Sequence, residues 1–437
     1  MELLPILLLA NFIQLASFSH SPCVIELECA ECLPDNMPLV TSHRAANGSL
    51  RLADGAALQL SCGAGRFLAA PTHAALAAHC RAGRYAALGR LLHLRELGCQ
   101  QSIFEDVLHQ VDDCGNLQGR AYLMHETDGQ ARHLATACFD ADRGVAVRLQ
   151  TAAAGPAGPV ESAEPAHSHA SAPRSLLGNF NQMFDAATRQ AAERLYSDDV
   201  RLNRRLHELL RHDHYTFADQ TLTSGKLLSS RYFDDQFMRV TDFVSNKVAV
   251  WSSVAKGNLH HLHQDVARFV ESRRGQEEVE VLAGTHGVLS LRTDGAGTAG
   301  TRTDGAGTAG ARTDGAGTAG ARTEGAGTAG ARTELYLMAG ERFPVPRYVW
   351  TVVHARRSRR AVALVVLNDP FVAVSEIRAA VFCASACSEV GWLRALRAQR
   401  RYESAVYGLV FCCSLRDLAA HVAGLPARLA TDMPLLT

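Results

Sequence analysis

Lysine is nearly absent from this chain of 437 residues: it stands at positions 226, 247 and 256 and nowhere else. All other basic residues are arginine, and 44 Lys plus Arg balance 44 Asp plus Glu, so no global field of one sign argues for a polyanionic partner. With abundant Ala and Gly beside it, the scarcity of lysine reads as GC-rich coding bias rather than selection for phosphate binding. Long apolar runs are missing beyond the first residues. The segment Ala361 to Leu367 reaches only the length of a buried strand, so no membrane anchor is expected. Cysteine is missing between Cys138 and Cys383, which splits the set into eight before residue 140 and four near the end. Both counts are even, so each set can close on itself in an oxidising compartment, with the pairing left open. Zinc is the poorer account, because Cys29 and Cys32 form the one C-x-x-C pair at that end and have no matching partner pair. The signatures H-E-x-x-H, G-x-x-x-x-G-K-S/T and G-x-S-x-G are also missing, which removes three common catalytic readings.

Residues 1–19 carry an interrupted apolar run (Leu3 to Leu9, Ile13 to Phe18) followed by small and polar residues. That shape is expected of a secretory signal peptide, although Glu2 stands where a basic residue is usual. The sequon Asn47-Gly-Ser49 agrees with the same route. Residues 20–150 read as a disulfide-rich amino-terminal β domain, with short alternating runs such as Leu50 to Leu52, Ala57 to Leu60 and Val145 to Leu149 between Gly and Asp turns. Its centre, Ala74 to Leu92, looks helical instead. Residues 151–175 shift to Ala, Pro, Gly, Ser and His without apolar periodicity, as expected of a flexible linker.

Beyond the linker, Val200 to Arg211 places Leu202, Leu206, Leu209 and Leu210 at helical spacing. Asn258 stands where it can cap a second helix, whose stripe is Leu259, Leu262, Val266, Phe269 and Val270. Between Gly284-Thr-His-Gly-Val-Leu289 and Thr333-Glu-Leu-Tyr-Leu337 lie about four near-identical copies of a ten-residue unit rich in Gly, Ala and Thr. Such a repeat has too little apolar bulk for a core, so residues 292–332 read as a loop inserted into a hairpin, a change that loop entropy tolerates.

Several segments of residues 176–426 together resemble the DNA/RNA non-specific endonuclease family, and most of all its secreted insect double-stranded ribonuclease branch. They are Asn246-Lys-Val-Ala-Val-Trp251, Gly257-Asn258-Leu259, the G-T-H-G-V-L segment, Phe343-Pro-Val-Pro-Arg-Tyr-Val-Trp350, Val365-Val-Leu-Asn-Asp-Pro370, and the Cys383/Cys387 and Cys412-Cys413 sets. The resemblance implies an α+β, ββα-metal nuclease fold, an antiparallel sheet flanked by helices, and phosphodiester hydrolysis of double-stranded RNA or DNA with one Mg2+ ion. It also implies where the chemistry would sit. Lys226, in Ser224-Gly-Lys-Leu227, occupies the position of the family's general-base histidine, and Leu222 to Trp251 contains no histidine at all. Ala255 stands at the magnesium-binding asparagine and His263 at the glutamate, while Asn246 matches a site asparagine and Asn258 could serve as a ligand after a shift of register. An ordinary lysine, with a pKa near ~10.4, cannot accept the proton of the attacking water. Alanine offers a metal nothing, and imidazole favours ions softer than magnesium. Three readings follow: a secreted metal-dependent nuclease with altered site residues, a pseudonuclease that grips nucleic acid without cutting it, and a secreted scaffold that binds neither.

Overall fold

The computed structural model describes residues 21–27, 29, 32–43, 49–126, 130–151, 186–197, 199–210, 220–234, 236–292, 332–398 and 402–437. The expected signal peptide, Asn47 and Gly48 of the glycosylation sequon, the expected linker after Thr151 and nearly all of the decapeptide repeat lie outside them. The architecture is mixed α/β, with several disulfides and mostly antiparallel sheets. Among the described residues no helix is long and apolar enough to cross a membrane.

The chain begins with β1 (Cys23–Glu26) paired to β3 (Ser49–Leu52). A five-stranded sheet follows, in the order β2 (Leu39–Val40), β4 (Ala57–Ser61), β5 (Ala75–Arg81), β6 (Arg84–Ala87) and β7 (Arg90–Leu92). The stretch Ala74 to Leu92, helical by eye, is therefore extended. Its residues Leu76, Ala78 and Cys80 turn inward at a period of two, and the bond from Cys80 to Cys23 fastens that face. Burial on one side of a sheet here overrides alanine's preference for helix.

The largest element is an eight-stranded sheet, ordered β21-β20-β19-β14-β11-β10-β9-β8. Its first strands in the chain are β8 (Phe104–Leu108), β9 (Gln118–His125), β10 (Ala131–Asp140) and β11 (Val145–Thr151). Next come α1 (Ala186–Ser197), α2 (Asp199–Leu210), the hairpin β12 (Leu222–Lys226) with β13 (Lys247–Trp251), the single turn α3 (Ser252–Ala255) and α4 (Asn258–Arg273). The chain then re-enters the sheet through β14 (Val279–Val288). Thus the sheet runs across the boundary expected at residue 150, with Leu149 opposite Ala283. Buried Glu280 ties the join: it accepts from Gln150 at 2.6 Å, His354 at 3.1 Å and both terminal guanidinium nitrogens of Arg428. Burial alone would raise its pKa, but His354 and Arg428 draw it down to about 2.

Strands β15 (Ser290–Arg292) and β16 (Arg332–Glu334) pair antiparallel, with Leu291 opposite Thr333. The repeat is thus closed at its base by a ladder, the arrangement expected of a hairpin insertion. A second short hairpin, β17 (Tyr336–Met338) with β18 (Arg342–Pro344), leads into β19 (Pro346–Ala355) and β20 (Arg360–Leu367). After α5 (Val374–Ala380) and α6 (Arg394–Ala398), the edge strand β21 (Val410–Cys413) precedes α7 (Leu415–His421). Successive strand residues face opposite sides. Accordingly Val349 and Val353 enter one core with Trp251 and Leu262, whereas Trp350 and Val352 enter the other with Leu415 and Leu418. The same rule makes Cys412 and Cys413 point apart, and their bonds to Cys387 and Cys383 staple this sheet edge on both faces. The remaining pairs are Cys29–Cys32, Cys62–Cys99 and Cys114–Cys138, so each cysteine set closes on itself.

One buried network connects the amino-terminal strands to the hairpin. Asp106 on β8 accepts from Arg120 Nε at 2.6 Å and from Ser245 Oγ at 2.7 Å, while Tyr122 shares a 2.6 Å bond with Ser245. Asp106 and Arg120 are both 0% exposed. Removing the carboxylate leaves a buried guanidinium without its counter-charge. Asp106→Ala is therefore expected to lower the unfolding free energy by about 3–5 kcal/mol in a denaturant titration. A change within the roughly 0–1 kcal/mol typical of exposed pairs contradicts that role.

Candidate functional site

The first and last residues of the hairpin β12–β13, paired at its open end, are each held by an asparagine side chain. Asn203 on α2 accepts from the Leu222 N–H at 2.7 Å and donates to its carbonyl at 2.8 Å. At the other end of the chain segment, Trp251 N–H donates to Asn368 Oδ1 at 3.0 Å, and Asn368 Nδ2 donates to the Pro346 carbonyl at 2.9 Å. Amphipathic α4 lays Leu259, Leu262, Val266 and Phe269 against the same core. Each such side chain contributes about 1.5–3 kcal/mol by leaving water. Asp265 interrupts that stripe although it is buried. It accepts from the N–H groups of Ala395 and Leu396 at 2.8 and 2.9 Å, which anchors the start of α6.

Lys226 ends β12 and faces Lys247, the first residue of β13, directly across the ladder. Its Nζ donates to Asp242 Oδ1 at 2.6 Å and to Thr241 Oγ1 at 3.1 Å. The second oxygen of Asp242 lies 3.0 Å from Arg239 Nε, so one carboxylate serves two cations. Lys247 is half-buried, and burial above all pulls its pKa below the usual lysine range; Lys226 and Arg239 push the same way, against Asp242.

His263, on α4, meets this corner from the helix side. Tyr232 OH and His263 Nδ1 are 2.5 Å apart, and the ring is also hydrogen-bonded to the Lys226 backbone. Burial first, then the neighbouring His260, lowers its pKa to about 4, although the Lys226 backbone opposes the shift. The ring is thus uncharged at neutral pH, and both contacts hold it as a spacer between α4 and β12. Lys226 and His263 are brought together; the other three candidates are turned to different tasks.

Asn246 is fully buried and uses its amide on the backbone. Its oxygen accepts from Leu228 N–H at 2.8 Å, and its nitrogen donates to the carbonyls of Leu228 and Thr241. That clamp sets the path of the loop that carries Asp242. Ala255 ends α3 and packs against the apolar core. Asn258 is the first residue of α4 rather than its cap, because the cap position falls on Gly257. Its Nδ2 donates to the Gly408 carbonyl at 2.8 Å. Gly408 adopts a left-handed φ of 84°, and a Cβ there would lie 2.7 Å from Val254, so glycine is required twice over.

This donor set does not fit magnesium. The ion seeks oxygen ligands. At the three positions the resemblance assigns, Ala255 has no donor atom, His263 offers a nitrogen already bonded to Tyr232, and Asn258 turns its amide to Gly408. Among the described residues no group of three or more His, Cys, Asp or Glu is placed to hold any metal ion. What the corner can do instead is attract anions. Sequence reasoning named Lys226 and His263 but missed Arg239, Asp242, Lys247 and Tyr232. Of these, Lys247 alone carried a signal, as one of the chain's three lysines.

No family model matches the chain. No curated protein matches it. Among solved structures, one that aligns is described as "Crystal structure of the EndoG/EndoGI complex: Mechanism of EndoG inhibition". The alignment is 10% identical, covers 54% of this chain and 72% of that one, and has a TM-score of 0.25, too low to carry an argument.

The spacer role of His263 has a pH signature. Between pH 6.5 and about 4 the unfolded chain takes up a proton that folded His263 refuses. Its contribution is therefore complete above pH 6.5 and falls as the pH drops through that window. Denaturant midpoints of wild type and His263→Gln, compared across this range, are expected to show a shallower acid loss in the variant. Parallel curves would remove the assignment.

Proposed function

We propose that this chain is a secreted pseudonuclease: it has the framework of the DNA/RNA non-specific endonuclease family and grips double-stranded RNA or DNA by its phosphates without metal-dependent cutting. The motifs quoted above carry the family resemblance. The order of elements around the site, an antiparallel hairpin followed by a helix, agrees with the ββα-metal arrangement that the resemblance implies. Six disulfides fit an oxidising, extracellular setting.

One observation carries the loss of hydrolysis: the group at the general-base position, Lys226 Nζ, is a donor to Asp242 and Thr241. An ammonium has three N–H donors and no acceptor, so it cannot take a proton from an attacking water. It can hold a phosphate oxygen as a point charge. The three positions that would carry magnesium support the same reading, since the ion's Lewis-acid chemistry has no oxygen donor set there.

Direct phosphate contact makes binding salt-dependent and independent of divalent ions. Fluorescence anisotropy with long double-stranded RNA and DNA is expected to give a log–log salt slope of about 0.9 for each duplex phosphate contacted. The slope should be the same in magnesium and in chelator, with the nucleic acid recovered intact. No binding even at low salt, roughly 50 mM, would leave the scaffold reading in its place.

A further inference from the structure

Two cations share one carboxylate at the loop end of the β12–β13 ladder, and a third stands beside them. Lys226 and Arg239 divide the two oxygens of Asp242 at 2.6 and 3.0 Å. Lys247 stands directly opposite Lys226, and its Nζ makes no hydrogen bond or ion pair among the described residues. Directly opposed residues of an antiparallel pair share a face with Cβ atoms about 4.5–5.5 Å apart, and like charges there are destabilising. Arg239 deepens the imbalance, since it is buried to 7% exposure and still charged. Lys226 keeps 35% of its side chain open, so the excess charge faces water on one side.

The composition of the chain adds an independent observation. Arginine serves every basic position except three, and those three lysines fall within 31 positions, counting from 226 to 256. Two of them face each other across one ladder. Coding bias explains why lysine is rare, but not why the survivors gather here. A compact ammonium suits a narrow, half-buried corner in which a phosphate oxygen is met as a point charge, whereas a pair of guanidinium forks would not fit the same ladder position so closely.

We infer that Lys226 and Lys247, with Arg239 beside them, form a phosphate-binding site that holds a single phosphodiester group directly, in place of a metal ion. The inference rests on the nucleic-acid-binding reading above and gives it a locus. The bound oxygen relieves the Lys226–Lys247 repulsion, and Asp242 competes with it for Lys226 and Arg239. The site is therefore expected to bind more tightly when that carboxylate is neutralised.

The small number of lysines makes the test direct. Purified full-length protein labelled with carbon-13 lysine gives one side-chain signal set for each of the three lysines, assigned through Lys→Gln variants. In chelator, inorganic phosphate is expected to move the Lys226 and Lys247 signals and to leave exposed Lys256 in place. A double-stranded RNA should move the same two. Lys247→Gln should weaken phosphate binding roughly tenfold, the loss of one charge-assisted hydrogen bond. It should also reduce the RNA salt slope by about 1. Asp242→Asn should act in the opposite direction and tighten phosphate binding. If phosphate leaves both signals still while RNA binds, the lysine site is overturned and the nucleic-acid reading survives. If phosphate moves them but RNA does not bind, the site stands as a receptor for free phosphate and the nucleic-acid reading falls. Signals that move only when magnesium is present overturn the metal-free site.

Discussion

The buried carboxylate of Asp106 is the interaction on which the arrangement of the site depends. It sits on β8, is neutralised by Arg120 on β9, and reaches through Ser245 into the short turn that ends at Asn246. From there the chain passes at once into Lys247 and β13. A polar network in a fully dry environment is costly when any member is missing, so it admits few alternative positions for that turn. Asn246 then locks the same turn to Leu228 and Thr241. In this way the amino-terminal strands, continuous in one sheet with the carboxy-terminal ones, determine where Lys247 and Asp242 stand.

What stands there is a surplus of positive charge, where the proposed nuclease reading would call for oxygen ligands and a proton acceptor. The residues at the positions that the resemblance assigns are mutually consistent. Lys226 has a carboxylate partner, His263 is neutral and hydrogen-bonded, and Ala255 packs into the core. A framework that had simply lost its chemistry would have no reason to keep two lysines opposed across a ladder, since that pairing opposes folding. On the phosphate-site proposal, a bound phosphate rather than the fold makes use of them.

Much of the fold was legible because period and punctuation are local properties. The α4 stripe, the strand Ala361 to Leu367, and the hairpin interrupted by the repeat can each be read from a dozen residues. The join of β11 to β14 could not, since nothing near Leu149 announces a partner at Ala283 far along the chain. Ala74 to Leu92 misled because alanine is neutral as to face, and only the disulfide and the sheet above it decide its conformation. At the site, Lys226 and His263 were found through resemblance alone. Asp242 and Arg239 lie in a five-residue 3-10 helix, Met238–Asp242, too short to show a periodicity, and their meaning comes from distances that sequence does not express. The same holds for Asn258, where a capping residue by type proved to be a tie to Gly408.

The most direct test of the central claim is cleavage of long double-stranded RNA by wild type and by a Lys226→His, Ala255→Asn, His263→Glu triple variant, each assayed with magnesium and with chelator. The account predicts an inert wild type and a variant that cuts with magnesium and stops with chelator, because on the proposed reading only the base and the metal donors differ from a working nuclease. Cutting by wild type that chelator abolishes would contradict it, since a working metal site would then exist where the donors described here provide none.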